Sequence, residues 1–359
     1  MTFFPCLLAA LSIVAPKDGA IVPTLKEAQK AYLSGGRTER FVRMDNAADR
    51  AKLLAMGSTQ RPLKLEWTGE TNAVYGLTIA AEGGKTEWFP VTNRLDIYVT
   101  NLEIGRKYVW TVRCGDRSAS ASFTTEPDAP RLLRAAGVAN FRDLGGWRTA
   151  DGRRVRENMI FRSAGLRTSS KERGSFLNRK IEIGERRVTD DGIVTLHDEF
   201  GIRTDLELRT VRETAGMDGT VLGEDVKWVL IPFAAYGLID NAIRGREPFA
   251  KIFAIFTNSE NYPVLMHCSG GRDRTGTLAF LLNGLLGVEE DDLCRDWESS
   301  VFSDAGMKFT SDRIQGLIDY LRNMPGKTLQ ERIEAYAKGC GITDQEIAAF
   351  RRIMLEGVD

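Results

Sequence analysis

The run Val264 to Leu282, VLMHCSGGRDRTGTLAFLL, sets a single thiol, Cys268, between an apolar stretch and a cluster of glycines and arginines. Tyr262–His267 reads as an apolar strand and Thr275–Leu286 as an apolar helix. Cys268, Ser269, Gly270, Gly271, Arg272, Asp273 and Arg274 connect them. A strand, a tight glycine-bearing loop and a helix start form an anion site, because successive backbone N–H groups converge and the helix dipole adds positive potential. Gly270 and Gly271 are read as permitting positive φ and close backbone approach. The same donors favour thiolate over thiol, so Cys268 is expected to be a nucleophile near neutral pH. Arg274 offers a planar fork that can take two phosphoryl oxygens at once. Thr275 brings a hydroxyl within reach of the sulfur. Ser269, Gly270, Gly271, Arg272 and Thr275 then line a phosphate cradle. The chemistry this suits is attack of the thiolate on phosphorus, giving a cysteinyl-phosphate that water hydrolyses. Loop N–H groups and Arg274 carry the equatorial charge, so the reading calls for no metal and no cofactor.

The leaving oxygen needs a proton. Asp273, inside the loop, is the first candidate for general acid, and Asp240, after IPFAAYG, is the alternative. A plainer role for Asp273 is an ion pair or a favourable charge in the first helical turn. His267 is read as a structural residue that orients the loop and tunes Cys268.

Composition narrows the classes. Lys plus Arg equals Asp plus Glu, 49 each, so no bulk basic field for nucleic acid exists. The five cysteines are scattered with no C-x-x-C pair, and there are two histidines, His197 and His267, which disfavours a zinc knuckle or a His-rich metal site. The expected partner is a phosphorylated protein or a phosphoinositide, as substrate. No feature specifies an oligomeric state. The amino-terminal MTFFPCLLAALSIVAP is apolar over a length that suits a signal-peptide core and is too short to span a membrane. It has no Lys or Arg ahead of the apolar run. Residues 1–15 are read as an export leader, with a buried strand of a cytoplasmic protein as the alternative; no other stretch could span a membrane.

The elements that must position this loop come next. Residues 16–60 read as an amino-terminal extension with an amphipathic helix over Thr24–Leu33. Residues 61–126 change to short alternating strands: LKLEWTG, VYGLTIAA, DIYVTNL, KYVWTVRC and SASASFTT, which suggest a small all-β sandwich. TTEPDAPRL, with two prolines, marks a boundary. Residues 131–359 alternate strands (GIRTDLELRT, VKWVLIPF, YPVLMHC) with helical patterns at 190–200, 248–257, 275–286, 291–300, 311–323, 329–340 and 343–356. The fold class is therefore α/β, a parallel-rich sheet flanked by helices. Residues 167–189, rich in Lys, Arg, Ser and Glu, read as an exposed excursion.

His267-Cys268, five residues, then Arg274-Thr275-Gly276 is the signature of the cysteine-dependent phosphatase superfamily. HCSGGRDRTG resembles the H-C-x-x-G-K-D-R-T-G loop of bacterial tyrosine phosphatases with dual-specificity and lipid-phosphatase activity, and myotubularins carry a related loop. GVANFRDLGGWRTADGRRVRENMIFRSAGL is similar to the NFRDLGG … RS region of the same bacterial family, and GIRTDLELRTVRE to its G-I-x-x-x-x-D-L-R-x-x-x-E strand. Glu207 stands where that family has Asp. CRDWESS and the helices after it match the family's carboxy-terminal part. The resemblance implies a tyrosine-phosphatase-like fold, a cysteinyl-phosphate intermediate and the loop aspartate, here Asp273, as acid. Arg272 replaces the family's loop lysine, which keeps the charge and changes its geometry. Arg142, Asp143, Arg162 and Arg209 are candidates for shaping the pocket mouth, or are structural ion pairs. YVTNLEIGRKYVWTVRCGD resembles the fibronectin type III pattern. Competing classes are a rhodanese-like sulfurtransferase and a non-catalytic protein that holds a phosphorylated ligand.

Overall fold

A computed structural model describes residues 10–84, 86–168, 186–303 and 310–357. The first nine residues of the stretch read as a leader, Cys6 among them, and most of the charged excursion lie outside the described residues. The chain forms two compact units. One runs up to Lys26 and resumes over Gln60–Ala129; the other joins Glu27–Thr59 to Pro130 and beyond.

The first unit is all β. Its strands are β1 (Ser12–Ala15), β2 (Ala20–Val22), β3 (Leu63–Thr68), β4 (Val74–Ala81), β5 (Thr86–Thr92), β6 (Asp96–Val99), β7 (Lys107–Cys114) and β8 (Arg117–Thr125). They form a three-stranded sheet, β1-β3-β6, and a five-stranded sheet, β2-β8-β7-β4-β5. All pairings are antiparallel except β2 with β8. Alternation in β3 and β7 turns Leu65, Trp67, Trp110 and Val112 inward, where they pack with Tyr75, Leu77 and Phe123. β1, drawn from the end of the apolar amino-terminal stretch, pairs with β3 at Ser12↔Thr68 and Ile13↔Trp67.

The second unit opens with three helices, α1 (Glu27–Leu33), α2 (Arg37–Asp45) and α3 (Ala47–Ala55). Its sheet holds β9 (Arg142–Asp143), β10 (Ile160–Ala164), β11 (Thr204–Glu207), β12 (Lys227–Leu230) and β13 (Val264–Cys268), in the order β12-β11-β13-β10-β9. β12, β11, β13 and β10 run parallel; β9 is antiparallel to β10. The helices are α4 (Asp190–Val194, continued by a wider turn to Glu199), α5 (Glu247–Phe256), α6 (Asp273–Leu286), α7 (Glu290–Glu298), α8 (Asp312–Arg322), α9 (Leu329–Gly339) and α10 (Asp344–Met354). The parallel-rich α/β sheet and the separate β sandwich match the expected fold class.

Two features fix the site's surroundings. β13 is the central strand and every one of its residues is buried, as a parallel strand covered on both faces must be. Twelve of the fourteen residues of α6 are buried, so the helix that follows the loop runs through the core. On the amino-terminal side, the buried Arg40 of α2 bonds Glu298 of α7 at 2.6 Å and Asp291 at 2.6 Å. Burial pushes the Glu298 carboxyl up to about 7 despite this partner. Among the described residues no helix is long and apolar enough to cross a membrane.

Candidate active site

β13 ends at Cys268 and α6 begins at Asp273, so the loop sits at the carboxyl end of the parallel strands, where open α/β sheets bind ligands. Its peptide groups are oriented from behind. The carbonyl of Ser269 accepts from Gly165 N–H at 3.2 Å, that of Gly270 from Asn140 Nδ2 at 3.0 Å, and that of Gly271 from Arg162 Nη2 at 2.8 Å. With three successive carbonyls tied to the body of the unit, the intervening N–H groups are turned the other way, which is the arrangement of an anion nest. Gly271 alone of the two loop glycines has positive φ, +65°, which corrects the expectation for Gly270. A Cβ on Gly271 would lie 2.3 Å from the Ser163 carbonyl oxygen, so the loop can seat on β10 only with glycine there.

Cys268 is 2 % exposed. Burial alone would raise its pKa. The Arg274 charge, the Thr275 hydroxyl and the Thr275 backbone N–H outweigh burial, and the thiol titrates below its ordinary value. The Thr275 hydroxyl is buried with no hydrogen-bond partner among the described residues, and it is one of the groups that lower the Cys268 pKa. Arg274 is itself held. Its Nη1 lies 2.7 Å from Glu213 Oε2, its Nη2 3.0 Å from Glu213 Oε1, and the same Nη2 is 3.3 Å from Ser269 Oγ. Glu213 also accepts from Thr210 N–H at 3.0 Å and from the Thr210 hydroxyl at 2.9 Å. Burial would raise the Glu213 carboxyl, but Arg274 and Thr210 hold it far below the usual carboxylate range.

Asp273 sits among donors. Oδ2 takes Arg272 Nε at 3.1 Å and Nη2 at 2.9 Å; Oδ1 takes the Tyr236 hydroxyl at 2.7 Å and Arg313 Nη1 at 3.3 Å. Burial opposes ionisation, yet Arg272, Tyr236 and Arg313 outweigh it and lower the Asp273 pKa from its ordinary value. Its charge is felt at Cys268. Asp240 is exposed and bonds Arg246 at 2.6 Å and the Tyr320 hydroxyl at 2.7 Å.

The other candidates fall behind the loop. Arg142, Asp143, Arg162 and Arg209 are at most 1 % exposed, so none of them lines a pocket mouth. Arg142 and Arg162 both grip Asp296, through Oδ1 at 2.9 Å and through Oδ2; Arg142 also donates to Asn140 Oδ1 at 2.5 Å. The pair thus supports the two groups, Asn140 and Arg162, that hold the loop carbonyls. Burial and the neighbouring Arg142 bring the Arg162 pKa down to about 10. Asp143 pairs with Arg131 at 2.9 Å, and Arg209 donates to Glu207 at 2.6–2.9 Å and to the Arg167 carbonyl at 2.8 Å. His267 Nε2 lies 2.6 Å from Asp205 Oδ1 and Nδ1 3.6 Å from Glu207 Oε2. Burial disfavours its charged form, but the two carboxylates outweigh burial and raise its pKa. The imidazole therefore anchors β13 to β11 just before the loop. Asn140, Glu213, Tyr236 and Trp297 were missed from sequence. Glu213 had a signal, since it is the final Glu of the GIRTDLELRTVRE stretch, and Asn140 opens NFRDLGG.

The Tyrosine phosphatase family model matches residues 133–356. A Cupriavidus necator protein assigned by its name to the tyrosine-protein phosphatases is 31% identical over 208 residues, covering 53% of this chain and 72% of the relative. Among solved structures, the core catalytic domain of the PP-IP phosphatase SIW14 from S. cerevisiae, in complex with citrate, aligns at 16% identity and a TM-score of 0.28, over 49% of this chain and 80% of that one. A second structure, the Siw14 catalytic core, aligns at 13% identity and a TM-score of 0.27, over 54% and 96%. The family match spans β9 to β13 and α4 to α10, the elements that build the loop and hold it from behind, and the chain belongs to the tyrosine phosphatase family.

Proposed function

We propose that this chain hydrolyses phosphomonoesters, phosphotyrosine foremost, with phosphoserine, phosphothreonine or phosphoinositides as further substrates, through a cysteinyl-phosphate on Cys268. The observation that carries the reading is the convergence on one buried thiol of Arg274, Thr275 and a loop whose Ser269, Gly270 and Gly271 carbonyls are tied back to the body of the unit. In the first step the Cys268 thiolate attacks phosphorus, the S–P bond forms and the ester P–O bond breaks. Loop N–H groups and the Arg274 fork hold the three equatorial oxygens, and no metal is needed for that charge. The leaving oxygen takes a proton from the protonated form of Asp273, which lies beside the loop, whereas Asp240 lies on an exposed turn. In the second step water gives a proton to the Asp273 carboxylate and its oxygen attacks phosphorus. The S–P bond breaks, the thiolate returns with help from Thr275, and inorganic phosphate leaves. Ser269, Gly270, Gly271 and Arg272 serve as the phosphate cradle. We read the β unit, with its two sheets, as a fibronectin type III-like spacer.

The test is hydrolysis of p-nitrophenyl phosphate by wild type and Cys268→Ser, with trapping of a phosphorylated cysteine by a rapid denaturing quench at alkaline pH. The expected outcome is loss of turnover and of the trapped species in the variant. Equal rates would discard the reading, and a thiosulfate-consuming wild type would point to sulfur transfer instead. A panel of phosphopeptides and phosphoinositides then ranks the substrates.

A further inference from the structure

Tyr236 is an unusual residue in a telling place. It opens a short helical turn, Tyr236–Asp240, with φ +55°, a conformation that costs a bulky side chain about 1–3 kcal/mol and persists where its surroundings fix it. Three contacts do so. Its N–H donates to Thr277 Oγ1 at 2.9 Å, on the helix that carries the loop. Its ring meets Trp297 edge to face, centroids 6.3 Å apart at 81°. Its hydroxyl donates to Asp273 Oδ1 at 2.7 Å while accepting from Trp297 Nε1 at 3.3 Å. Gly276 leaves room for that indole, because a Cβ there would lie 2.8 Å from Trp297 Cδ1.

The donor inventory makes this arrangement directional. An indole N–H only donates, so the Tyr236 oxygen is its acceptor and the single phenolic proton is committed to Asp273 Oδ1. Arg313 Nη1, which also only donates, faces the same Oδ1 at 3.3 Å. Oδ1 is thus kept as an acceptor. We propose that Tyr236 is a positioning residue for the acid step: it holds Asp273 Oδ1 as an acceptor, with Trp297 fixing the sense of the bond, so that the transferable proton is carried by Oδ2. The inference rests on Asp273 being the general acid. Arg272 occupies Oδ2 in the resting structure and must turn aside when that oxygen is protonated. The groups facing Asp273 are therefore Arg272, Arg313 and Tyr236, with the Cys268 thiol near enough to feel its charge.

The test is the pH dependence of kcat/KM for phenyl phosphate, a poor leaving group, against p-nitrophenyl phosphate, an activated one. Tyr236→Phe keeps the ring against Trp297 and removes only the donor. A carboxylate that loses a donor has a higher pKa, so the alkaline limb for phenyl phosphate should move up by roughly 0.5–1 pH unit. The rate ratio of activated to poor ester should also rise about tenfold as the acid loses its orientation. Trp297→Phe leaves the tyrosine in place but frees its hydroxyl to rotate, so the limb should move the same way by less; this variant carries the test if Tyr236→Phe does not fold. An alkaline limb that stays in place overturns the proposal. Asp273→Asn separates the two levels: if it keeps the limb, the acid assignment fails, whereas if it abolishes the limb and Tyr236→Phe leaves it unmoved, only the positioning role fails.

Discussion

Glu213 clamps Arg274 through both carboxylate oxygens, at 2.7 and 3.0 Å, on the side of the guanidinium that also reaches Ser269. Arg274 is thereby fixed in one rotamer, and in the proposed phosphate-holding role that freedom does not have to be lost on binding. Glu213→Gln keeps the volume and removes the charge. Its kcat/KM for an aryl phosphate should fall about 10²-fold, the cost of displacing a positioned group by about 1 Å. The pair also leaves a pH signature. Glu213 has a folded pKa below its unfolded value of about 4.3, so it contributes stability above that pH and loses it as pH falls through the folded value. Wild type should lose melting temperature on acidification more steeply than Glu213→Gln. Parallel curves would show that the pair does not couple to folding.

The thiol gives a second expected outcome. Arg274 is the strongest influence that lowers the Cys268 pKa, followed by the Thr275 hydroxyl. Alkylation by iodoacetamide, followed against pH, should reach half its maximal rate below the value of about 8.5 for a free cysteine. Thr275→Val should raise that midpoint, and Arg274→Met should raise it further. The reverse order would mean that the loop N–H groups and hydroxyl, not the guanidinium, hold the anion. Thr275→Val should in addition slow hydrolysis of the phosphocysteine, seen as an accumulated adduct after a denaturing quench at alkaline pH, because the departing sulfur loses a donor.

The part of this site that could be read from sequence is the part that is contiguous. Cys268, Arg274 and Thr275 lie on one strand–loop–helix, and their spacing alone implies their convergence. The supports do not share that property. Asn140 and Arg162 reach Gly270 and Gly271 from more than a hundred residues away, and Glu213 reaches Arg274 from another strand's end. β10 escaped detection for a related reason. Its sequence, IFRSA, contains a buried Arg and Ser, which reads as a polar break until Asp296 and the loop carbonyl are seen to satisfy Arg162. The same burial explains why arginines that looked like pocket-mouth residues are braces. Helices such as α8 and α10, by contrast, were legible because each carries a 3.6-residue apolar period, and α6 because its apolar run is nearly unbroken, whereas α2 and α3, in the stretch read as an extension, were not.

Asp273 provides a third expectation, one of leaving groups. Asp273→Asn should slow phenyl phosphate by about 10²–10⁴-fold and p-nitrophenyl phosphate far less, since an activated phenoxide departs without a proton. Arg272→Ala removes a cation that lowers the Asp273 pKa. The acid then stays protonated to higher pH, and the alkaline limb of kcat/KM for phenyl phosphate should shift upward. A downward shift, or equal losses on the two esters in Asp273→Asn, would place the proton donor elsewhere.

Gly271 is where geometry leaves least freedom. At φ +65° an alanine would be strained in open space, and here the added Cβ would lie 2.3 Å from Ser163 O, 2.4 Å from Ser163 C and 2.7 Å from Ala164 N. Those atoms belong to β10, which is hydrogen-bonded to β13 on one side and β9 on the other, so the strand cannot give way. The loop must lift instead. Lifting it separates the Gly271 carbonyl from Arg162, leaves a buried guanidinium one acceptor short and tilts the neighbouring N–H groups out of the cradle. Gly271→Ala should therefore lower stability by at least the roughly 1–3 kcal/mol of backbone strain, read as a drop in melting temperature. It should also abolish the rise in melting temperature that added inorganic phosphate is expected to give wild type, because binding to the native state alone would produce that rise. A variant that melts early but still gains stability from phosphate would show that the cradle forms without the seat on β10.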